Sequence, residues 1–265
     1  MWQRWLLTAF LLVGTFSASA ETLILIQGYQ SKGADWRSSG ITKELTAAGW
    51  LDGGQLTLAS TAVKAPAGPR FFTVELTTDA QLLRQMAQLK AHVDKVKAAR
   101  PGESLILVGH SAGGVLGRLF MVQHPEEAIS ALITFASPHL GTESAELGLA
   151  LSQSPLGWAS GFLGKEYDVL GRSEGLFFDL VRERPGSLLF WLNRQPHPQA
   201  RYVSVVRDGS LSWVGDLVVP AWSQDMNLVE QLRGRSAVIV SDGNHGLESK
   251  DGKLLLNILR RLRSS

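Results

Sequence analysis

The chain has 265 residues, 26 basic against 24 acidic side chains for a formal charge of +2, and no cysteine. That length suits one large α/β domain with a full core, since such folds often run to about 250 residues undivided. Near-zero net charge, and the absence of a basic stripe alternating with aromatics, argue against nucleic-acid binding. Without cysteine, and with six scattered histidines, disulfides and a zinc site find no support.

The first element is a leader, Met1 to Ala20. Arg4 supplies the positive start, Leu6 to Phe16 the apolar stretch, and Ala18-Ser19-Ala20 the small residues a signal peptidase needs. About eleven apolar residues span only about half a bilayer core, so cleavage after Ala20 is expected rather than anchoring. The mature domain would then be 21–265, exported to the periplasm or secreted.

Beyond the leader, short apolar runs alternate with segments of helical period, the signature of parallel strands joined by crossover helices. Thr22–Gln27 is the first strand and Glu44–Gly49 lies in a helix. Gln55–Ala59 and Phe71–Leu76 are further strands. Ala80–Arg100 carries Leu82, Met86, Leu89, Val93 and Val96 at helical spacing, with Asp79 as N-cap and Pro101-Gly102 as stop. Ser104–Val108 is a strand, Gly113–Gln123 a helix and Ile129–Phe135 a strand. From Leu140 to Ala200 the alternation breaks; this segment, rich in Gly, Trp and Phe (Trp158, Phe162, Leu163, Phe177, Phe178, Phe190, Trp191), should fold as a few helices over the sheet edge. Tyr202–Val206 and Ala237–Val240 complete the sheet. Lys253–Leu262 closes it as a helix whose Arg260, Arg261 and Arg263 complement the helix dipole.

Chemistry concentrates at Gly109-His110-Ser111-Ala112-Gly113, a G-x-S-x-G turn between a strand and a helix. A serine there is held in a strained turn that presents its hydroxyl, and Ser111 is the candidate nucleophile. It needs a histidine to take its proton and a carboxylate to orient that histidine. His92 and His124 read as surface residues on helices, His110 points away from the hydroxyl, His197 sits in a Pro-flanked loop, and His139 could line the site but precedes every plausible acid. His245, in the loop after the last strand, is the candidate base. Among Asp208, Asp216, Asp225 and Asp242, the local pattern Gly215-Asp216-Leu217-Val218-Val219-Pro220 favours Asp216, with Asp208 as the alternative. Asp225 reads as a helix cap and Asp242 as a turn residue.

These motifs resemble the lipase/esterase branch of the α/β-hydrolase fold, near bacterial triacylglycerol lipases and related lipid deacylases. Gly109–Gly113, the acid loop at Asp216, Asn244-His245-Gly246-Leu247 and Ser137-Pro138-His139-Leu140-Gly141-Thr142 carry the likeness. The resemblance implies a mostly parallel sheet with helices on both faces and a lid or cap at about 142–199. It also implies a catalytic triad Ser111, Asp216 and His245, and an oxyanion hole from the backbone N–H groups of Tyr29 and Ala112. Gln27 stands where the family usually has histidine. Glu248 and Asp251 lie where some bacterial lipases bind calcium, without matching that pattern; no metal or cofactor is expected. The expected activity is hydrolysis of lipid or other acyl esters through an acyl-enzyme. The alternatives are an acyltransferase or thioesterase with the same triad, or an inactive fold that binds lipid or a partner. No obligate protein partner is expected, and transient contact with a membrane surface is left open.

Overall fold

The computed structural model describes residues 21–60, 63, 67–153, 171–208 and 216–264. The leader 1–20, Trp158, Phe162 and Leu163 of the long segment, and Gly215 of the acid loop lie outside them. Seven strands are described: β1 (Glu21–Ile26), β2 (Leu51–Leu56), β3 (Arg70–Val74), β4 (Ser104–His110), β5 (Ala131–Phe135), β6 (Arg201–Arg207) and β7 (Ser236–Ser241). They form one sheet in the order β2-β3-β1-β4-β5-β6-β7 with every neighbouring pair parallel. The inner strands are runs such as Leu23-Ile24-Leu25-Ile26 and Leu105-Ile106-Leu107-Val108, apolar on both sides as a doubly covered parallel strand must be.

The two-residue period of each strand splits the core. Leu23, Leu25, Ile106, Val108 and Ile133 pack on one face against Trp36 of α1 (Asp35–Ser38), Ile41 and Leu45 of α2 (Ile41–Ala47), and Leu255, Ile258 and Leu259 of the C-terminal helix Ser249–Ser264. Ile24, Ile26, Leu107 and Leu132 face the other way, onto α3 (Leu82–Ala99) and α4 (Ala112–Gln123). After β1 the chain goes to the edge strand β2 and returns to β3 beside β1, then crosses to β4 on the other side of β1 and builds the opposite way, so the switch lies between β1 and β4. Open α/β sheets bind ligands at the carboxyl ends of strands flanking such a switch point.

Three details depart from the sequence reading. Helix α3 starts at Leu82, not Ala80, and its cap position is Gln81 without a side-chain cap bond. The buried Leu82 N–H, which has no partner within the helix, instead donates to Asp179 Oδ2 at 2.7 Å, so a carboxylate 97 residues away does the work expected of Asp79. Asp79 pairs with Arg172. Strand β2 lies at Leu51–Leu56, ahead of the expected 55–59. His92 is buried, not on the surface, with Nε2 bonded to the Glu75 carbonyl at 3.2 Å. It follows Leu89 by three residues and so shares the buried face of α3.

The segment after β5 contributes α5 (Glu143–Ser152), α6 (Glu174–Leu180) and α7 (Leu188–Leu192) among its described residues. Leu149, Phe177 and Val181 form a small cluster with Tyr29 packed on it, which sets α5 and α6 beside the loop leaving β1. After β6 come α8 (Ala221–Gln224) and, after β7, the C-terminal helix, α9. No described helix is long and apolar enough to cross a membrane.

Candidate active site

Ser111 joins β4 to α4 with φ 53° and ψ −129°, a conformation that side-chain-bearing residues rarely adopt. Such strain costs on the order of 1–3 kcal/mol and persists only where the surroundings enforce it. Here they do: a Cβ on Gly109 would lie 2.4 Å from Gly114 Cα, and one on Gly113 would lie 2.4 Å from the Gln27 carbonyl. Only glycines allow α4 to approach β1 and β4 so closely. The Ser111 N–H donates to the Phe135 carbonyl at 2.8 Å, which pins the turn to β5. Gln30 and Ala136, in the loops leaving β1 and β5, also have positive φ (52° and 51°). Three of the four positive-φ residues other than glycine among the described residues thus lie at this end of the sheet, Ala128 ahead of β5 being the fourth.

Opposite the hydroxyl stands His245. Its Nε2 is 2.9 Å from Ser111 Oγ, and its Nδ1 is 2.7 Å from Asp216 Oδ2. A carboxylate can only accept, so Nδ1 carries the proton and Nε2 is left free to accept from the serine. The Asp216 side chain is fully buried. Its Oδ1 accepts the N–H groups of Val218 and Val219, both at 2.9 Å, and its Oδ2 accepts Gln224 Nε2 at 3.1 Å. The structure therefore brings Ser111, His245 and Asp216 together, and it is Asp216 rather than Asp208 that meets the histidine. Asp225 caps a short turn through Asn227 N–H, as its position suggested.

His110 has a part that its position in the motif did not reveal. It does not reach the hydroxyl; its Nε2–H donates to the His245 carbonyl at 2.7 Å, with the two rings 5.1 Å apart. Burial lowers its pKa to about 4, so it stays neutral there. The parity of β4 could have signalled this, because His110 shares the face of Ile106 and Val108. His139 does not line the site: it is fully buried, with Nε2 3.2 Å from Thr134 Oγ1. His197 is buried against Tyr202, and His124 meets Glu126. Gln224 was not singled out by the sequence at all.

Tyr29 and Ala112 line one pocket of about 340 Å³ with Ser111. Ala112 is the first residue of α4, so its N–H has no partner within the helix and the helix dipole favours negative charge beside it. The Tyr29 ring meets Phe177 edge-on at 5.4 Å, and its hydroxyl donates to Ser173 at 2.9 Å. Gln27, in the place of the family's histidine, is buried. With its amide oriented to satisfy both neighbours, it donates to the Val74 carbonyl at 2.6 Å and accepts the Leu76 N–H at 2.8 Å. The loop bearing Tyr29 is thereby tied to β3. The pocket's walls are apolar: Ala145, Leu147, Leu176, Phe177, Leu180 and Val219. Leu147 and Val218, at its mouth, are exposed, and Leu217 beside them is 84% exposed.

Asp251, one of the two carboxylates that follow the histidine, is paired with Arg207 at 2.6 Å, both side chains fully buried. Among the described residues no group of three or more histidines and carboxylates is placed to hold a metal ion.

Residues 17–146 match the model of the PGAP1-like alpha/beta domain. No curated protein sequence matches the chain. Among solved structures, the Bacillus licheniformis lipase BlEst2 in its mature form is 16% identical, covers 92% of each chain and has a TM-score of 0.60. A structure described under LipS and LipT, two metagenome-derived lipolytic enzymes, is 13% identical over 93% of this chain and 95% of its own, with a TM-score of 0.58. The metagenomic carboxyl esterase MGS0156 is 15% identical over 94% of this chain and 77% of its own, at 0.54. The chain has the α/β-hydrolase fold, which it shares with solved structures of lipases and esterases.

Proposed function

We propose that the protein is a serine carboxylic-ester hydrolase acting on lipid or other acyl esters. The observation that carries this reading is the unbroken chain from Ser111 Oγ through His245 to Asp216, opening on an apolar pocket. As Ser111 Oγ bonds to the ester carbonyl carbon, its proton passes to His245 Nε2, and Asp216 stabilises the imidazolium. The oxyanion is held by the N–H groups of Tyr29 and Ala112, each supplying about 3 kcal/mol on the usual mutational scale. Collapse of the tetrahedral species breaks the bond to the alkoxy oxygen, which leaves with the proton from His245. Water, deprotonated by the same histidine, then hydrolyses the acyl-enzyme and restores Ser111.

The acyl group would lie between α5 and α6, against Leu176, Phe177 and Leu180, with part of the segment 142–199 serving as a cap over it. The exposed Leu147, Leu217 and Val218 give the mouth an apolar rim suited to transient contact with a lipid surface. With residues 1–20 read as a removable leader, the enzyme would work outside the cytoplasm, in the periplasm or beyond. The purified protein should hydrolyse p-nitrophenyl esters and react with a fluorophosphonate probe, and Ser111→Ala should abolish both. Turnover retained in that variant would refute the assignment; transfer to an added alcohol in preference to water would make it an acyltransferase.

A further inference from the structure

The acid and the base leave the sheet from different strands, Asp216 after β6 and His245 after β7, yet they meet at 2.7 Å. One residue touches the supports of both. Arg207 ends β6, beside Ser241 of β7. Its backbone N–H donates to Gln224 Oε1 at 2.7 Å, and Gln224 Nε2 in turn donates to Asp216 Oδ2 at 3.1 Å and to the Val219 carbonyl at 2.7 Å.

The Arg207 side chain runs the other way. Nη1 donates to Ser241 Oγ at 2.8 Å and to the Asp242 carbonyl at 3.3 Å, at the entry of the histidine loop. Nη2 pairs with Asp251 Oδ2 at 2.6 Å, and that same oxygen accepts the Glu248 N–H at 2.8 Å, at the loop's exit. His245 lies midway between these two anchors.

Stability alone is a poor reason for this arrangement. Buried ion pairs are often matched or bettered by apolar side chains of the same volume. This one also leaves Arg207 Nε and Asp251 Oδ1 buried without a hydrogen-bond partner. What the pair does supply is a fixed geometry.

We propose that Arg207 is a positioning residue for the acid–base couple: its main chain sets Asp216 through Gln224, and its guanidinium sets the His245 loop through Ser241, Asp242 and Asp251. The proposal rests on the triad reading above. If either arm slackens, the imidazole drifts from the hydroxyl, while the pocket walls supplied by α5 and α6 (Ala145, Leu147, Leu176, Phe177 and Leu180) stay in place.

Two variants test it. Gln224→Met removes the amide at nearly constant length, and the double variant Arg207→Met/Asp251→Leu replaces the ion pair with apolar groups that preserve packing. Both should remain folded by circular dichroism and urea unfolding. Both should keep KM within about twofold and lose about tenfold to a hundredfold in kcat and in fluorophosphonate labelling rate, the scale of an ångström-sized misplacement. Wild-type kcat in both variants, or a loss of kcat that only tracks the fraction folded, would overturn the proposal. Ser111→Ala keeps the two readings apart: turnover surviving in it defeats the triad itself, whereas its loss together with unimpaired Gln224 and Arg207/Asp251 variants defeats only the positioning role.

Discussion

Ser111 is held by main chain, its own and that of β1 and β5, whereas Asp216 and His245 are held largely by side chains drawn from β4, β6, α8 and α9. On the nucleophile's side the strained φ of 53°, the close approach of Gly109 to Gly114 and of Gly113 to the carbonyls at the end of β1, and the bond from the Ser111 N–H to Phe135 fix the hydroxyl with backbone alone. On the acid–base side nothing local suffices. Asp216 takes two N–H groups from its own loop, but the third bond and the whole seat of His245 come from Gln224, Arg207, Asp251 and His110. One half of the site is a turn that could hardly fold otherwise. The other is an assembly that exists only once the sheet has closed.

The largest effect should come from cutting the assembled half at its centre. Asp216→Asn preserves shape but lets the imidazole take the wrong tautomer, so kcat should fall by about 10⁴-fold with the fold intact. Asp208→Asn should stay within a few-fold of wild type. Steady-state kinetics on a soluble ester decide between them, and equal losses in the two variants would mean that the acid has been misassigned.

The half held by backbone breaks differently. Alanine at position 113 would place its Cβ 2.4 Å from the Gln27 carbonyl and 2.7 Å from that of Ile26, so α4 must move off β1. The displaced main chain leads directly to Tyr29. Gly113→Ala should therefore lose about 1–3 kcal/mol of stability by overpacking and about 10²-fold in kcat through a misplaced oxyanion donor. Urea unfolding and kcat measured on the same preparation check it; a change in kcat with no change in stability would show that the elbow is less constrained than its contacts imply.

The same contrast explains what could be read from the sequence. The alternation of apolar runs and helical periods is enough for the parallel sheet, and the elbow is legible because strand, glycine turn and helix are contiguous from Ser104 to Gln123. Asp216 and His245 are legible because each sits in a short motif after a strand. Arg207 and Asp251 are not: they lie 44 residues apart, and a lone arginine at a strand end and an aspartate in a first helical turn each have ordinary local explanations. The capping of α3 by Asp179, where Asp79 was the nearer candidate, fails for the same reason. His92 was misplaced because only aliphatic positions defined the face of α3, although one step of three from Leu89 puts it there.

The smallest and most gradual effect is expected at acid pH, and it centres on the seam between the two halves. His110 belongs to the elbow but bonds to the main chain of His245, and burial holds its pKa at about 4. Burial likewise depresses His197 to about 3 and lowers His92 and His139. All four are neutral in the folded protein at a pH where the unfolded chain, with histidines near 6.5, already binds protons. Their contribution to stability is therefore complete above about pH 6.5 and is lost as pH falls from there toward the folded values, at about 1.4 kcal/mol per pKa unit for each group. Urea midpoints should be level between pH 7 and 8 and decline steadily below pH 6.5, with His197→Gln flattening part of the decline. Because His110 is the one of the four in contact with the acid–base half, His110→Asn should flatten it too, while also lowering kcat. A midpoint that stays level down to pH 5 would mean that these histidines accept protons without unfolding, and that the seam between elbow and histidine loop is looser than the 2.7 Å contact indicates.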